Sequence, residues 1–207
     1  MRIESGEARG RILQTPNGNN TRPTDGRTRG IIFNSLGDLV IDARFLDLYA
    51  GCGSVGLEAL SRGAKFVFFV EQEHSAIRCI RANLKTLGWE KRALVWHGNA
   101  RSAIPKLVEN GEAFEIVFAD PPFTLPNEGN EVCARIDAAP GLLNNELVGF
   151  SDEGDLSPEK VASRLIVQHS HRVASAKMTN FELIREKKAG ESTLSFYEPN
   201  INFSNNN

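Results

Sequence analysis

Asp120-Pro121-Pro122-Phe123 is the stretch of this chain best equipped for chemistry. It sets a carboxylate at the base of a stiff loop, two carbonyls that proline keeps out of a helix, and an aromatic ring at the tip. Such parts can hold a planar heterocycle that carries an exocyclic amine. The Phe123 ring stacks on the heterocycle, and the oxygens of Asp120 and Pro121 accept hydrogen bonds from its NH2 group. The element that must position them is the apolar, β-branched run 114–119, which reads as a buried parallel strand. Its carboxyl end is where open α/β sheets bind ligands.

A second group of residues lies upstream. Gly51, Gly53 and Gly56 satisfy G-x-G-x-x-G between a strand and a helix. Glycines there let the backbone turn tightly and approach a ligand. Glu71 ends the next strand, twenty residues after Gly51, where its carboxylate can accept two ribose hydroxyls, with Gln72 beside it. Taken alone, this pattern fits a dinucleotide-binding domain equally well. Three details favour a different ligand. Asp47, at the end of the first strand, is a poor neighbour for a pyrophosphate and a good one for an ammonium or sulfonium. Asn99 and Ala100, after the third strand, offer a carbonyl and an N–H to an adenine. The amine-gripping loop ends the fourth strand, and no dehydrogenase substrate domain follows it. These point to S-adenosyl-L-methionine, with Asp47, Ala50, Gly51, Gly53, Glu71, Gln72, Asn99 and Ala100 as its binding residues.

The elements around these residues alternate. Strands are expected at 44–49, 66–70, 93–97, 114–119 and 164–168, with helices at about 55–62, 73–87, 101–109 and 128–138. That rhythm implies a parallel sheet covered on both faces. Runs 181–187 and 193–198 flank Ala189-Gly190-Glu191 as a hairpin. Before the sheet, residues 2–13 suggest a short hairpin, and Thr24 is the expected N-cap of a helix running to about Leu36. Residues 151–160 read as an acidic loop and 200–207 as a frayed tail.

The 207 residues suit one domain, and 41% hydrophobic content suffices for a core. No apolar run reaches the ~20 residues that span a bilayer, and the N-terminus lacks a signal-peptide core, so a cytoplasmic protein is expected. Cys52, Cys79 and Cys133 form neither a disulfide framework nor a metal pattern. His169 and His171 share a strand face without further ligands, so no metal is expected. Net charge is −2, yet residues 1–30 carry six arginines against three acids. Arginine favours bidentate phosphate contact. Arg9, Arg11, Arg22 and Arg27 are therefore expected to face phosphates.

The block from Asp47 to Ala64, together with Asp120-Pro121-Pro122-Phe123, resembles the bacterial small-subunit ribosomal RNA guanine-N2 methyltransferases of the RsmD type. Arg9-Gly10-Arg11, Arg22-Pro23-Thr24, Arg185-Glu186-Lys187 and Ala189-Gly190 match as well. Glu73 and Tyr49 depart from the pattern, where a short Asp or Asn and a Phe are more usual. The resemblance implies a class I methyltransferase fold: a Rossmann-like seven-stranded sheet with its last strand antiparallel, over residues 38–199, preceded by a basic hairpin and helix over 1–37. It also implies S-adenosyl-L-methionine as the one cofactor. The implied reaction is methylation of one guanine N2 in 16S rRNA, within the small subunit or its assembly intermediate; a monomer is expected. The phosphate partner that the resemblance implies is RNA, with Thr24 and Phe123 facing it too. Other acceptors stay open: adenine N6 or cytosine N4 of DNA, or a protein glutamine. So do an NAD(P)-dependent oxidoreductase and a non-catalytic RNA-binding factor.

Overall fold

In the computed structural model, residues 1–16, 23–122, 127–144 and 163–200 are described. Seven strands form one sheet: β1 (Arg44–Asp47), β2 (Phe66–Glu71), β3 (Ala93–His97), β4 (Ile116–Ala119), β5 (Arg164–Ser170), β6 (Phe181–Ala189) and β7 (Ser192–Pro199). Their order is β3-β2-β1-β4-β5-β7-β6. The first five are parallel, and β7 enters antiparallel between β5 and β6. This is the class I methyltransferase sheet. β1 and β4 form its centre, and their side chains are buried on both faces, which is why these strands read as nearly unbroken apolar runs.

Helices cover the two faces. α1 (Gly26–Leu36), α2 (Ser54–Ser61) and α3 (His74–Leu87) pack on one, and α4 (Ala100–Glu109) and α5 (Glu128–Asp137) on the other. In α3 the buried Ala76, Ile77, Ile80 and Leu84 recur at helical spacing, and Gly88 ends the helix in the left-handed conformation. Residues 1–16 belong to the first face. Met1–Leu13 folds back antiparallel through an Arg2–Ile12 bridge and the Ile3 N–H to Arg11 O bond of 3.0 Å. Ile3 and Leu13 join Ile32, Phe33, Phe45 and Leu57 in one apolar cluster.

Several boundaries differ from those expected. Asp25, not Thr24, caps α1: its carboxylate accepts the Thr28 N–H at 2.9 Å and the Thr28 hydroxyl at 2.9 Å. Asp outcompetes Thr because a charged acceptor suits the helix N-terminus. β1 stops at Asp47, because Ala50–Gly53 already turns, with Gly53 N–H bonding Ala50 O at 2.7 Å. β4 begins at Ile116, since Phe114 instead makes a single bridge to Leu143. β5 runs on to Ser170, paired along its length with β7. The 151–160 loop, and the tail from residue 201 on, lie outside the described residues.

Candidate active site

Strand order reverses between β1 and β4, and a crevice opens at the carboxyl ends of strands wherever a parallel sheet reverses. Both predicted groups of residues arrive there. The glycine turn leaves the end of β1, and Asp120-Pro121-Pro122 leaves the end of β4. Gly51 and Gly53 have φ of 53° and 81°, which a side chain would strain. A Cβ on Gly51 would meet nothing within 4 Å, so the turn is open to a ligand there. Gly56 serves packing: a Cβ would lie 2.2 Å from the Phe69 ring. Ala50 is buried, its N–H held by Val70 O at 3.1 Å. Cys52 is buried in the turn, and burial pushes its thiol up to about 11, which suits a packed side chain and not a nucleophile.

Three carboxyls line this edge. Glu71, at the end of β2, accepts the Gly51 N–H at 2.6 Å on Oε2, and the Gln72 and Glu73 N–H groups at 2.8 Å each on Oε1. It therefore pins the glycine turn to β2. Three of a carboxylate's roughly four lone-pair sites are taken, which leaves room for about one ribose hydroxyl instead of the two expected. Asp47 is 1% exposed. Its Oδ2 accepts the Gly56 N–H at 3.1 Å, and its Oδ1 has no partner. Burial pushes the Asp47 carboxyl up to about 8, with the charges of Asp120 and Glu71 adding to the rise and the Gly56 bond opposing it. Burial likewise raises Asp120 to about 7.

Beyond Glu71 the predicted adenine side is partly built. Gln72 and Asn99 are exposed. The Asn99 side chain caps α4, accepting the Ser102 N–H at 2.9 Å, so one of its oxygen's two lone pairs is engaged. Ala100 is buried in the first turn of α4, where N–H groups lack intrahelical acceptors. The His97 and His74 rings lie 4.3 Å apart beside this rim, and His97 Nε2 is 3.1 Å from Gln72 O.

Beyond the end of β4, past Asp120, which does not line it, lies a cavity of about 150 Å³. Pro121 and Pro122, Gly129 and Asn130 of α5, and His169 and Ser170 of β5 surround it. A cavity of that volume takes up a ring the size of benzene, the scale of a single heterocycle. A Cβ on Gly129 would sit 3.8 Å from His169 Cβ and 3.9 Å from Pro121 Cγ, so glycine keeps this wall open. His169 is held in place: Nδ1 is 3.0 Å from Ser170 O and Nε2 is 2.8 Å from Ser195 Oγ. At the helix that follows the motif, Glu128 accepts the Tyr49 hydroxyl at 2.9 Å and pairs with Arg101, which also pairs with Glu131 at 2.7 Å. Sequence reasoning misses this wall. It weighs His169 only as a metal ligand, and the relevant signal is its place at the end of the strand next to β4. Among the described residues no group of His, Cys, Asp or Glu is arranged to hold a metal ion. Phe123 lies outside the described residues.

The predicted RNA-facing residues divide. Arg9, Arg11 and Arg27 are exposed, Thr24 is half-buried, and Arg22 lies outside the described residues. Arg29, a sixth cation of the same segment, is buried. It donates to Thr24 O at 2.6 Å and Arg2 O at 2.7 Å, and pairs with Glu4 and Glu58. Glu58 also accepts the Glu4 and Ser5 N–H groups at 2.9 and 3.0 Å. Arg29 and Glu58 thus bolt the N-terminal segment to α2, and Arg29 is no phosphate ligand.

The chain is similar to known proteins over most of its length. The family model described as conserved hypothetical protein 95 matches residues 1–198. The chain is 37% identical over 201 residues to ribosomal RNA small subunit methyltransferase D of Haemophilus influenzae, covering 96% of this chain and 93% of that protein. To the Escherichia coli K12 protein of the same name it is 32% identical over 202 residues, covering 96% and 89%. A solved hypothetical protein of Thermus thermophilus superposes with TM-score 0.74 at 27% identity, covering 95% of this chain and 98% of that one. An RNA methyltransferase of Salinibacter ruber, solved with S-adenosyl-L-homocysteine, shares the fold at TM-score 0.61 and 14% identity, covering 89% and 98%. The chain belongs to the conserved hypothetical protein 95 family, the family of the ribosomal RNA small subunit methyltransferase D proteins.

Proposed function

We propose that this protein transfers a methyl group from S-adenosyl-L-methionine to the exocyclic N2 amine of a guanine in 16S rRNA of the small ribosomal subunit. The observation that carries this reading is the meeting of two carboxyls, Asp47 and Asp120, across the sheet's switch point. Asp47 offers a buried, unpartnered oxygen beside an open glycine turn. One strand away, Asp120 leads into Pro121, which lines a cavity of the scale of one heterocycle. The names of the relatives support ribosomal RNA as the acceptor. The N2 atom comes from the resemblance to guanine-N2 methyltransferases.

The residues present fit the cofactor. The orphaned Asp47 oxygen suits a cation, the remaining Glu71 lone pair suits a ribose hydroxyl, and the space over Gly51 admits the ligand's chain. Asn99 and the first turn of α4 suit an adenine edge. When bound, the cofactor supplies an electrophilic methyl group on a positively charged sulfur. The protein's task is to make a weak nucleophile competent. The guanine N2 lone pair is delocalised into the ring. Hydrogen bonds from the NH2 group to Asp120 and the Pro121 carbonyl pyramidalise the nitrogen and stabilise its developing positive charge. They also orient the nitrogen lone pair for attack. We assign Phe123 the stacking role its residue type allows, worth about 1–3 kcal/mol, against the few kcal/mol needed to extrude a base.

The test is tritium transfer to small subunits, followed by mass spectrometry of the digested 16S rRNA. The expected product is a single N2-methylguanosine. Label in another nucleoside, or none, would sink this reading. Asp120→Ala should lower kcat by about 10²–10³, the scale of one oriented electrostatic contact, with affinity for the neutral S-adenosyl-L-homocysteine retained by calorimetry.

A further inference from the structure

We propose that Asp47 and Asp120 act as one charge-balancing pair: it holds a proton when the site contains no cation, releases it when a cationic ligand binds, and takes up the proton that the methylated amine loses. This rests on the cofactor and acceptor proposed above and adds where the proton of the reaction goes.

The geometry begins with the register. Asp47 pairs with Phe118 across β1 and β4, and in-register neighbours on a sheet point to the same face. Asp120 follows two residues after Phe118. With strands about 4.8 Å apart and about 3.3 Å of rise per residue, the two backbones come within about 8 Å of each other. Asp47 is buried with one oxygen unpartnered, although an ionised carboxylate can accept about four hydrogen bonds. A buried charge in that state is costly.

The groups that face the pair do not neutralise it. From β2 comes Glu71, another acid, facing three backbone N–H groups. From α2 comes the Gly56 N–H. Arg101, at the start of α4, is engaged by Glu128 and Glu131. Among the described residues no ion pair includes Asp47, Glu71 or Asp120. The compensation left to such a pair is a proton or a ligand's positive charge. The upward shifts of both carboxyls agree with that.

Methyl transfer changes the site's charge in the matching direction. The sulfonium becomes a neutral thioether, and the amine nitrogen becomes cationic. Asp120, which accepts a hydrogen bond from that amine, then takes one of its protons. The N–H bond breaks with its electron pair left on nitrogen, and an O–H bond forms on the carboxyl. The site returns to its starting charge with neutral products, and the pair no longer attracts the product as it attracted the cofactor.

Two measurements test this. The first is calorimetry in two buffers of different ionisation enthalpy at about pH 7, which counts protons released on binding. S-adenosyl-L-methionine should release about one proton more than S-adenosyl-L-homocysteine, and the difference should vanish in Asp47→Asn. Equal release by both ligands in the wild type, or an undiminished difference in the variant, overturns the proposal. The second is potentiometric titration of the ligand-free protein. Wild type should hold one proton more than Asp47→Asn and give it up between about pH 6 and pH 9. Superimposed curves overturn the held proton. Asp120→Asn serves both experiments if the first variant does not fold. If neither ligand binds, the cofactor reading falls and the discharge step with it, while the titration separately upholds or overturns the proton on the empty pair.

Discussion

A carboxyl group walled off from water resists ionising, and the fold must bear that resistance. Asp47 shows the effect at its plainest, held up to about 8 by burial against an ordinary value near 3.9. The sign follows from linkage: the folded state keeps a proton that the unfolded chain has lost, so stability falls as pH rises from about 4 through about 8. Asp47→Asn removes the ionisable group and keeps the shape. We expect it to raise the melting temperature of the ligand-free protein at pH 8 by at least ~2–4 °C, the equivalent of about 1 kcal/mol for a chain of this size. The rise should be smaller at pH 5, where both proteins carry a neutral group. Differential scanning calorimetry at the two pH values checks it, and a pH-independent difference contradicts the assignment.

At the scale of elements, the glycine turn and α2 work as one piece. Glu71 holds the turn from β2, Asp47 holds the first turn of α2 through the Gly56 N–H, and the absence of a side chain at Gly56 lets the helix lie on Phe69. A methyl at that position would displace the Phe69 ring and, with it, Val67, whose Cγ1 lies 2.8 Å from the added carbon. We expect Gly56→Ala to destabilise the protein by about 1–3 kcal/mol, the usual cost of overpacking, and to weaken cofactor binding because the turn moves with the helix. Urea unfolding and calorimetric titration measure the two effects. Gly129→Ala, whose added carbon meets only ordinary contacts at 3.8 and 3.9 Å, is the matched control and should fold normally.

At the scale of the molecule, acids gather where the site lies and cations stand on the N-terminal segment, though that segment also exposes Glu4, Glu7 and Asp25. The sheet edge that holds the site is acidic, while Arg9, Arg11 and Arg27 stand exposed on the N-terminal segment that Arg29 and Glu58 fasten to α2. No helix among the described residues is long and apolar enough to cross a membrane. If the three exposed arginines meet phosphates, each releases counterions, and together they contribute about 2–3 to the slope of log K against log salt. Replacing all three with Ala should flatten the slope for small-subunit binding by about that amount and leave binding of S-adenosyl-L-homocysteine intact. A filter-binding series over salt concentration reads this directly, and an unchanged slope would return the segment to a purely structural role.

The sequence alone determined the alternation of strands and helices, the place of the glycine turn, and the abrupt stop at Pro121-Pro122. These are local matters: hydrophobic period, backbone freedom at glycine and its loss at proline act within a few residues. Asp25 displacing Thr24 as the cap was close to legible, since the two are adjacent at the helix start. What the tertiary structure decided was which charges are free. Arg29 and Arg27 look alike in the chain, yet one is sealed against Glu58 and the other faces water. Glu71 reads as a ligand for two hydroxyls until the folded turn claims most of its oxygens. The wall formed by Gly129 and His169 joins residues forty positions apart. Burial and hydrogen-bond partners come from segments far away in sequence, and they set the capacity and charge of a group whose identity the sequence already prints.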